Sequence, residues 1–122
     1  MYHQPVMEKF ESACNKIMKL NPRVRFVAVV SGNGKPIASS TRRGVEPFVD
    51  KKGGEITLTQ AVLIMRMHRE FDEELGRVNY VMIKREKIAM LMFSFGEDLL
   101  YVSCDLGCDM GRLAGKILQV AA

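Results

Sequence analysis

Residues 88–104 read IAMLMFSFGEDLLYVSC, two apolar runs on either side of a short turn, Gly96-Glu97-Asp98. A glycine-containing turn between two apolar runs that carry aromatic residues is typical of a β-hairpin. Because Ile88–Phe95 is apolar at nearly every position, it fits a central strand that is covered on both faces. This stretch therefore predicts a β-sheet with helices on both sides.

Three further strands are predicted outside this hairpin. Val78–Ile83 precedes it and is joined to it by the charged turn Lys84–Lys87. Val24–Val30 and the short strand Pro36–Ser40 are joined by Ser31–Lys35, whose Asn-Gly dipeptide is a strong hairpin signal because both positions tolerate positive φ. Tight hairpins, with no long crossover among the last three strands, predict one antiparallel five-stranded sheet.

Three segments have apolar residues at helical spacing. The first runs from Val6 to Met18, the second from about Thr57 to Leu75 with Gly76 as its stop, and the third follows a predicted N-cap at Asp109. Residues 41–55 are predicted to be a polar, glycine-punctuated connection. The expected order is α-β-β-α-β-β-β-α. It predicts an α/β (α+β) three-layer α/β/α sandwich with the middle helix on one face and the terminal helices on the other.

The middle helix has more apolar surface than one face of a sheet can cover. One stripe, expected to face the sheet, consists of Ile64, Met67, Phe71 and Leu75. A second stripe is expected to face another copy of the chain. Two antiparallel helices around a two-fold axis would also place polar residues of one copy near those of the other. The predicted interface consists of Leu58, Val62, Met65, His68, Arg69 and Asp72.

Composition indicates a single soluble domain over residues 1–122. The chain is 48% apolar and 26% charged with a net charge of +4. It has no apolar run long enough to cross a membrane, and its N-terminus does not resemble a secretory signal. Three cysteines are an odd and small number, which favours a reducing, cytoplasmic location.

Four motifs that could carry chemistry have simpler explanations. The Ser31–Lys35 turn lacks the spacing and the following helix of a phosphate-binding loop. Cys104 and Cys108 would need His3, Cys14 or His68 from other elements to complete a zinc site, and a disulfide between them is disfavoured in a reducing compartment. His68 and Asp72 have no nucleophile placed beside them. The basic residues are interleaved with acidic ones, which argues against specific nucleic-acid binding. No catalytic residue, metal or cofactor is predicted.

Two stretches and the element order resemble the roadblock/LC7 family, a profilin-like and longin-like group of small α/β/α domains. Phe26–Ser39 is similar to the family's first hairpin, and Tyr101–Leu113 to its last strand, loop and helix start. The longer connection Gly44–Thr57 and the Met67-His68-Arg69 segment look more like a divergent archaeal branch of unknown function. The resemblance implies a non-enzymatic dimerising platform that binds a small GTPase or a larger scaffold.

Two other functions remain open from the sequence. Profilin-like sandwiches resemble sensor domains that hold a small ligand between sheet and helix, and residues 44–57 would then be a lid. An enzyme is the third hypothesis, and its weakness is that no paired acid and base, nucleophile or metal cluster occurs at usable spacing.

Overall fold

A computed structural model of the chain describes residues 4–121. The regular elements are α1 (Gln4–Met18), β1 (Val24–Val30), β2 (Pro36–Thr41), α2 (Lys51–His68), a 3-10 turn (Arg69–Phe71), α3 (Asp72–Leu75), β3 (Val81–Lys84), β4 (Ala89–Phe95), β5 (Asp98–Cys104) and α4 (Met110–Ala121). The predicted order of helices and strands is confirmed, with the middle helix broken near its end.

All five strands form one antiparallel sheet in the order β2-β1-β5-β4-β3. The register places Cys104 opposite both Val24 and Ala89, and Ala89 opposite Lys84. The start of β1 and the ends of β3 and β5 therefore lie together. We call this the proximal end of the sheet, formed by residues 19–25, 42–52, 84–87 and 105–109. The distal end is formed by residues 31–35, 66–80 and 96–98.

Each face of the sheet is covered by helices. On one face, Phe10 and Ile17 of α1 and Leu113 and Ile117 of α4 pack on strand residues such as Leu91. On the other face, α2 packs its own buried residues on Ala28, Val30, Met92, Leu99 and Tyr101. The three-layer sandwich is therefore as predicted, with α2 alone on its face among the helices described.

The start of the middle helix was predicted wrongly. The helix begins at Lys51 rather than Thr57, so that half of the expected 44–57 connection is helical. Asp50 explains this, since its carboxylate accepts a hydrogen bond of 2.7 Å from the Gly53 backbone N–H and caps the helix. Gly53 and Gly54, which predict irregular structure, lie within the first turns.

The orientation of the middle helix is also largely the reverse of the prediction, although Ile64 is partly buried against the sheet as expected. Leu58, Val62 and Met65, expected to face a partner, are buried against the sheet of the same chain, together with Ala61. Met67 and Leu75, expected to face the sheet, are 68% and 82% exposed. The physical reason is that the Leu58–Met65 stripe lies wholly within regular helix, and its alanine allows close approach to the sheet. The other stripe crosses the 3-10 turn, where the helical periodicity is interrupted.

Candidate interaction surface on the middle helix

The outer face of α2 carries an apolar stripe that points away from the sheet. Ile56, Leu63 and Met67 form this outer stripe at helical spacing, and their side chains are 49%, 49% and 68% exposed. Leu63 lies near the middle of residues 51–75. Phe71 and Leu75 are also exposed and extend the apolar surface toward the distal end. Single exposed apolar residues are ordinary, but several on one helix face, here interrupted by Gln60, are typical of an interaction surface.

The sheet edge formed by β3 offers a second exposed surface. β3 is the last strand of the sheet and pairs with β4 alone, so its other edge has no strand partner among the described residues. Met82 and the nearby Tyr80 are 49% and 37% exposed, and the Tyr80 ring lies 5.9 Å from that of Phe93. An unpaired edge strand can accept a further strand by backbone hydrogen bonding.

The far end of the helical segment is more acidic than its start, because residues 66–75 hold four Asp and Glu against two Arg, whereas residues 50–55 hold two Asp and Glu against two Lys. The first two residues of the segment are Lys51 and Lys52, whereas Glu70, Glu73 and Glu74 follow at the far end, and all five are exposed. A helix with this distribution attracts an antiparallel copy of itself more than a parallel one, because the lysines at each start then meet an acidic end.

Arg66 and Gly34 hold the distal part of α2 on the β1–β2 hairpin. The Arg66 guanidinium donates a hydrogen bond of 2.6 Å to the Gly32 carbonyl. Gly34 has φ +85°, and a Cβ atom there would lie 2.8 Å from the Thr59 hydroxyl. Because α2 is held this way, its outer stripe has a fixed direction.

The six predicted interface residues separate into two groups. Leu58, Val62 and Met65 are core residues, so they cannot present side chains to a partner while the domain is folded. His68 and Arg69 are exposed at the end of α2. Asp72 is half-buried, and its Oδ1 atom has no hydrogen-bond partner among the described residues, so His68 does not donate to it.

The sequence prediction missed Ile56 and Leu63. Ile56 lies in the segment that was assigned to a connection. Leu63 belongs to neither of the two predicted stripes. The signal that could have found them is the spacing of seven and then four residues that links them to Met67, which places all three on one helix face.

The Ser31–Lys35 segment is a hairpin turn between antiparallel β1 and β2, as predicted. The Ser31 backbone N–H donates to the Lys35 carbonyl at 2.8 Å, and the Gly34 N–H donates to the Ser31 carbonyl at 2.9 Å. A strand follows the turn, whereas a phosphate-binding loop is followed by a helix.

Burial keeps the cysteine thiols protonated near neutral pH. It raises the pKa of Cys14 to about 11 and that of Cys104 to about 12, and it also raises the pKa of Cys108. All three are free thiols. Within residues 4–121 no group of three or more His, Cys, Asp or Glu side chains could hold a metal ion. His3, named as a conceivable ligand, lies outside the described residues.

The connection before α2 is fastened to the sheet. The Arg25 guanidinium donates to the Glu46 carbonyl at 2.6 Å, pairs with the Asp105 carboxylate at 2.7 Å, and lies 4.4 Å from the centre of the Phe48 ring. An open groove of about 720 Å³ lies elsewhere, lined by Met7, residues 31–33 and residues 35–37. The predicted lid therefore does not border this groove.

Comparison with known proteins places the chain in a family. A family model described as "Family of unknown function (DUF6659)" matches residues 4–121. The chain belongs to this family. No curated protein shows significant sequence similarity to it.

Solved structures share the fold at low sequence identity. A roadblock/LC7 domain from Streptomyces avermitilis has a TM-score of 0.71 at 12% identity, covering 91% of this chain and 90% of that one. MglB from Myxococcus xanthus has a TM-score of 0.74 at 14% identity, and the match covers 99% of this chain and 88% of that one. A structure described as MglB with tetrameric arrangement has a TM-score of 0.72 at 16% identity, covering 99% and 93%.

These similarities confirm the roadblock/LC7 fold that the sequence resemblance predicted. They do not test the expected archaeal origin. Within residues 4–121, no helix is both long enough and apolar enough to cross a membrane.

Proposed function

We propose that this chain is a non-enzymatic homodimeric interaction platform, assembled through the outer stripe of α2. The observation that carries the proposal is the exposure of Ile56, Leu63 and Met67 on a helix face directed away from the chain's own core. The gross free energy from burying one such side chain is about 1.5–3 kcal/mol, from which association costs are subtracted.

Charge favours a two-fold pair with antiparallel helices. Leu63 then lies close to the axis and faces its own copy, because it is near the middle of residues 51–75. Lys51 and Lys52 of one copy approach Glu73 and Glu74 of the other. The two-fold symmetry forms each of these contacts twice. The free edge of β3 is available for strand pairing in the same assembly.

The function of such a dimer is to present a surface to other proteins. The roadblock/LC7 resemblance implies a small GTPase or a scaffold protein as the partner class. A related fold is found in an MglB assembly with tetrameric arrangement. His68 and Arg69, exposed beside the outer stripe, are available at the margin of the proposed interface.

Light scattering coupled to size exclusion tests the proposal with a matched pair of variants. Leu63→Glu introduces two facing charges at the two-fold axis, so we expect it to give a monomer. Leu118→Glu makes the same change at the margin of the buried face of α4, where Leu118 is 36% exposed, and is expected to leave the dimer intact. A monomeric Leu118→Glu variant, or a dimeric Leu63→Glu variant, would contradict the assignment.

A charge exchange tests the antiparallel arrangement separately. Lys51→Glu with Lys52→Glu should weaken the dimer, and adding Glu73→Lys with Glu74→Lys should restore it. If the second pair of changes weakens the dimer further, the helices are not antiparallel.

A further inference from the structure

The charges of the molecule are divided unevenly between the two ends of the sheet. The four proximal segments contain ten Lys and Arg and five Asp and Glu. The three distal segments contain four Lys and Arg and six Asp and Glu. The proximal excess is larger than the net charge of +4 carried by the whole chain. Folding therefore concentrates charges that look scattered in the sequence.

The proximal cations fall into two groups. Arg23 and Arg42 donate to backbone carbonyls, including those of Leu106 and Val24, and Arg25 pairs with Asp105. These three hold the loops together. The side chains of the others are exposed in the single chain, and they are Lys19, Arg43, Lys51, Lys52, Lys84, Arg85 and Lys87. Lys51 and Lys52 also belong to the proposed dimer contact, so the other five are the cations available in a dimer. The seven exposed cations come from three of the four proximal segments, whereas the fourth, residues 105–109, contributes Asp105 and Asp109.

Apolar side chains are exposed among these cations. Phe48 and Val49, between Arg43 and Lys51, are 56% and 50% exposed, and Leu106 on the neighbouring loop is 37% exposed. The Phe48 loop is held in place by Arg25, whose guanidinium lies 4.4 Å from the centre of the ring. The proximal end thus presents apolar side chains on positioned loops within a region of net positive charge, although the charged residues nearest to them in the sequence are Glu46, Asp50, Asp105 and Asp109.

From this arrangement we infer that the proximal end binds the surface of an anionic membrane. Lysine and arginine side chains are attracted to an anionic leaflet. Apolar side chains lower the free energy of binding when they enter the boundary between headgroups and acyl chains. A nucleic acid would also bind the cations, but it would gain little from contact with the aliphatic side chains of Val49 and Leu106. Phe48 is a single aromatic residue rather than the series on which successive bases stack.

Sedimentation with vesicles tests the inference. Vesicles of phosphatidylcholine with about one third phosphatidylserine should bind the chain at low salt, whereas vesicles of phosphatidylcholine alone should not. Binding should weaken as salt is raised, because the charges are then screened. The absence of binding to the anionic vesicles, or equal binding to both kinds, overturns the inference.

Two pairs of variants locate the binding surface. Lys19→Gln with Lys87→Gln should lower the partition coefficient about tenfold or more. Lys9→Gln with Lys35→Gln removes the same charge from exposed positions away from the proximal end and should have little effect. Phe48→Ser should weaken binding at high as well as low salt, and Leu118→Ser serves as its control. The inference is overturned if a proximal variant and its control lose vesicle binding equally. It is also overturned if the chain binds duplex DNA more tightly than the vesicles.

The test is independent of the proposed dimer. None of these substitutions lies on the outer stripe, and the Leu63→Glu variant should still bind anionic vesicles as a single chain. Loss of vesicle binding in folded Leu63→Glu would mean that the proximal end of a single chain does not suffice for binding, and that result contradicts the inference. The dimer proposal is tested separately by light scattering.

Discussion

At the residue scale, Gly34 shows how one position fixes a helix on a sheet. Its φ of +85° strongly favours glycine, and a Cβ atom would be 2.8 Å from the Thr59 hydroxyl and 3.3 Å from the Thr59 Cα. Gly34→Ala should therefore lower the free energy of unfolding by about 1–3 kcal/mol. Gly32→Ala, in the same turn but with open space around the added atom, is the matched control. Equal denaturation midpoints for the two variants would show that the close approach is unimportant.

The buried thiols predict how stability depends on pH. The pKa of Cys104 rises from the ordinary value of 9.0 to about 12 and that of Cys14 to about 11, because burial disfavours the thiolate. Between pH 9 and these values the unfolded chain releases protons that the folded chain keeps, so stability falls as pH rises.

We expect the free energy of unfolding to fall by about 1 kcal/mol per pH unit for each thiol. Denaturant unfolding between about pH 8 and 11 measures this decline. Cys104→Ala lowers stability at neutral pH but should give a shallower alkaline decline. A decline as steep as that of the unmodified chain would show that Cys104 is not its source.

At the element scale, the strands were predictable and the middle helix was only partly so. Alternating and continuous apolar patterns, with Asn33-Gly34 and Gly96 at the turns, define the hairpins locally. The start of α2 depends on the Asp50 cap, which overcomes the poor helix propensity of Gly53 and Gly54. Both apolar stripes satisfied the helical period, so periodicity alone could not say which one faced the sheet.

Two neighbouring methionines test the corrected orientation of α2. Met65 is 3% exposed and Met67 is 68% exposed. Met65→Glu buries a charge in the core and should destabilise the fold by about 3 kcal/mol or more. Met67→Glu should leave the fold of the single chain intact while weakening its self-association. Thermal unfolding monitored by circular dichroism distinguishes them, and comparable melting temperatures would contradict the orientation.

At the scale of the whole molecule, no sequence pattern showed how the surfaces are distributed. The proximal cations come from three segments that only the strand register brings together. The spacing of the outer stripe is visible in the sequence, but it can be told from the core stripe only once the inner face of α2 is assigned. A two-fold pair with antiparallel α2 helices places the two proximal ends at opposite poles. The basic end of each copy then lies toward the more acidic end of the other, which adds a favourable long-range attraction to the apolar contact.

The molar mass of the unmodified chain in solution, measured by light scattering at tens of micromolar, tests the proposed assembly most directly. The outer stripe of α2 predicts a particle of twice the chain mass of 13.8 kDa. The value should hold at moderate salt, because apolar burial rather than charge supplies most of the association energy. A mass of 13.8 kDa at that concentration would mean that the outer stripe of α2 does not join two copies of this chain.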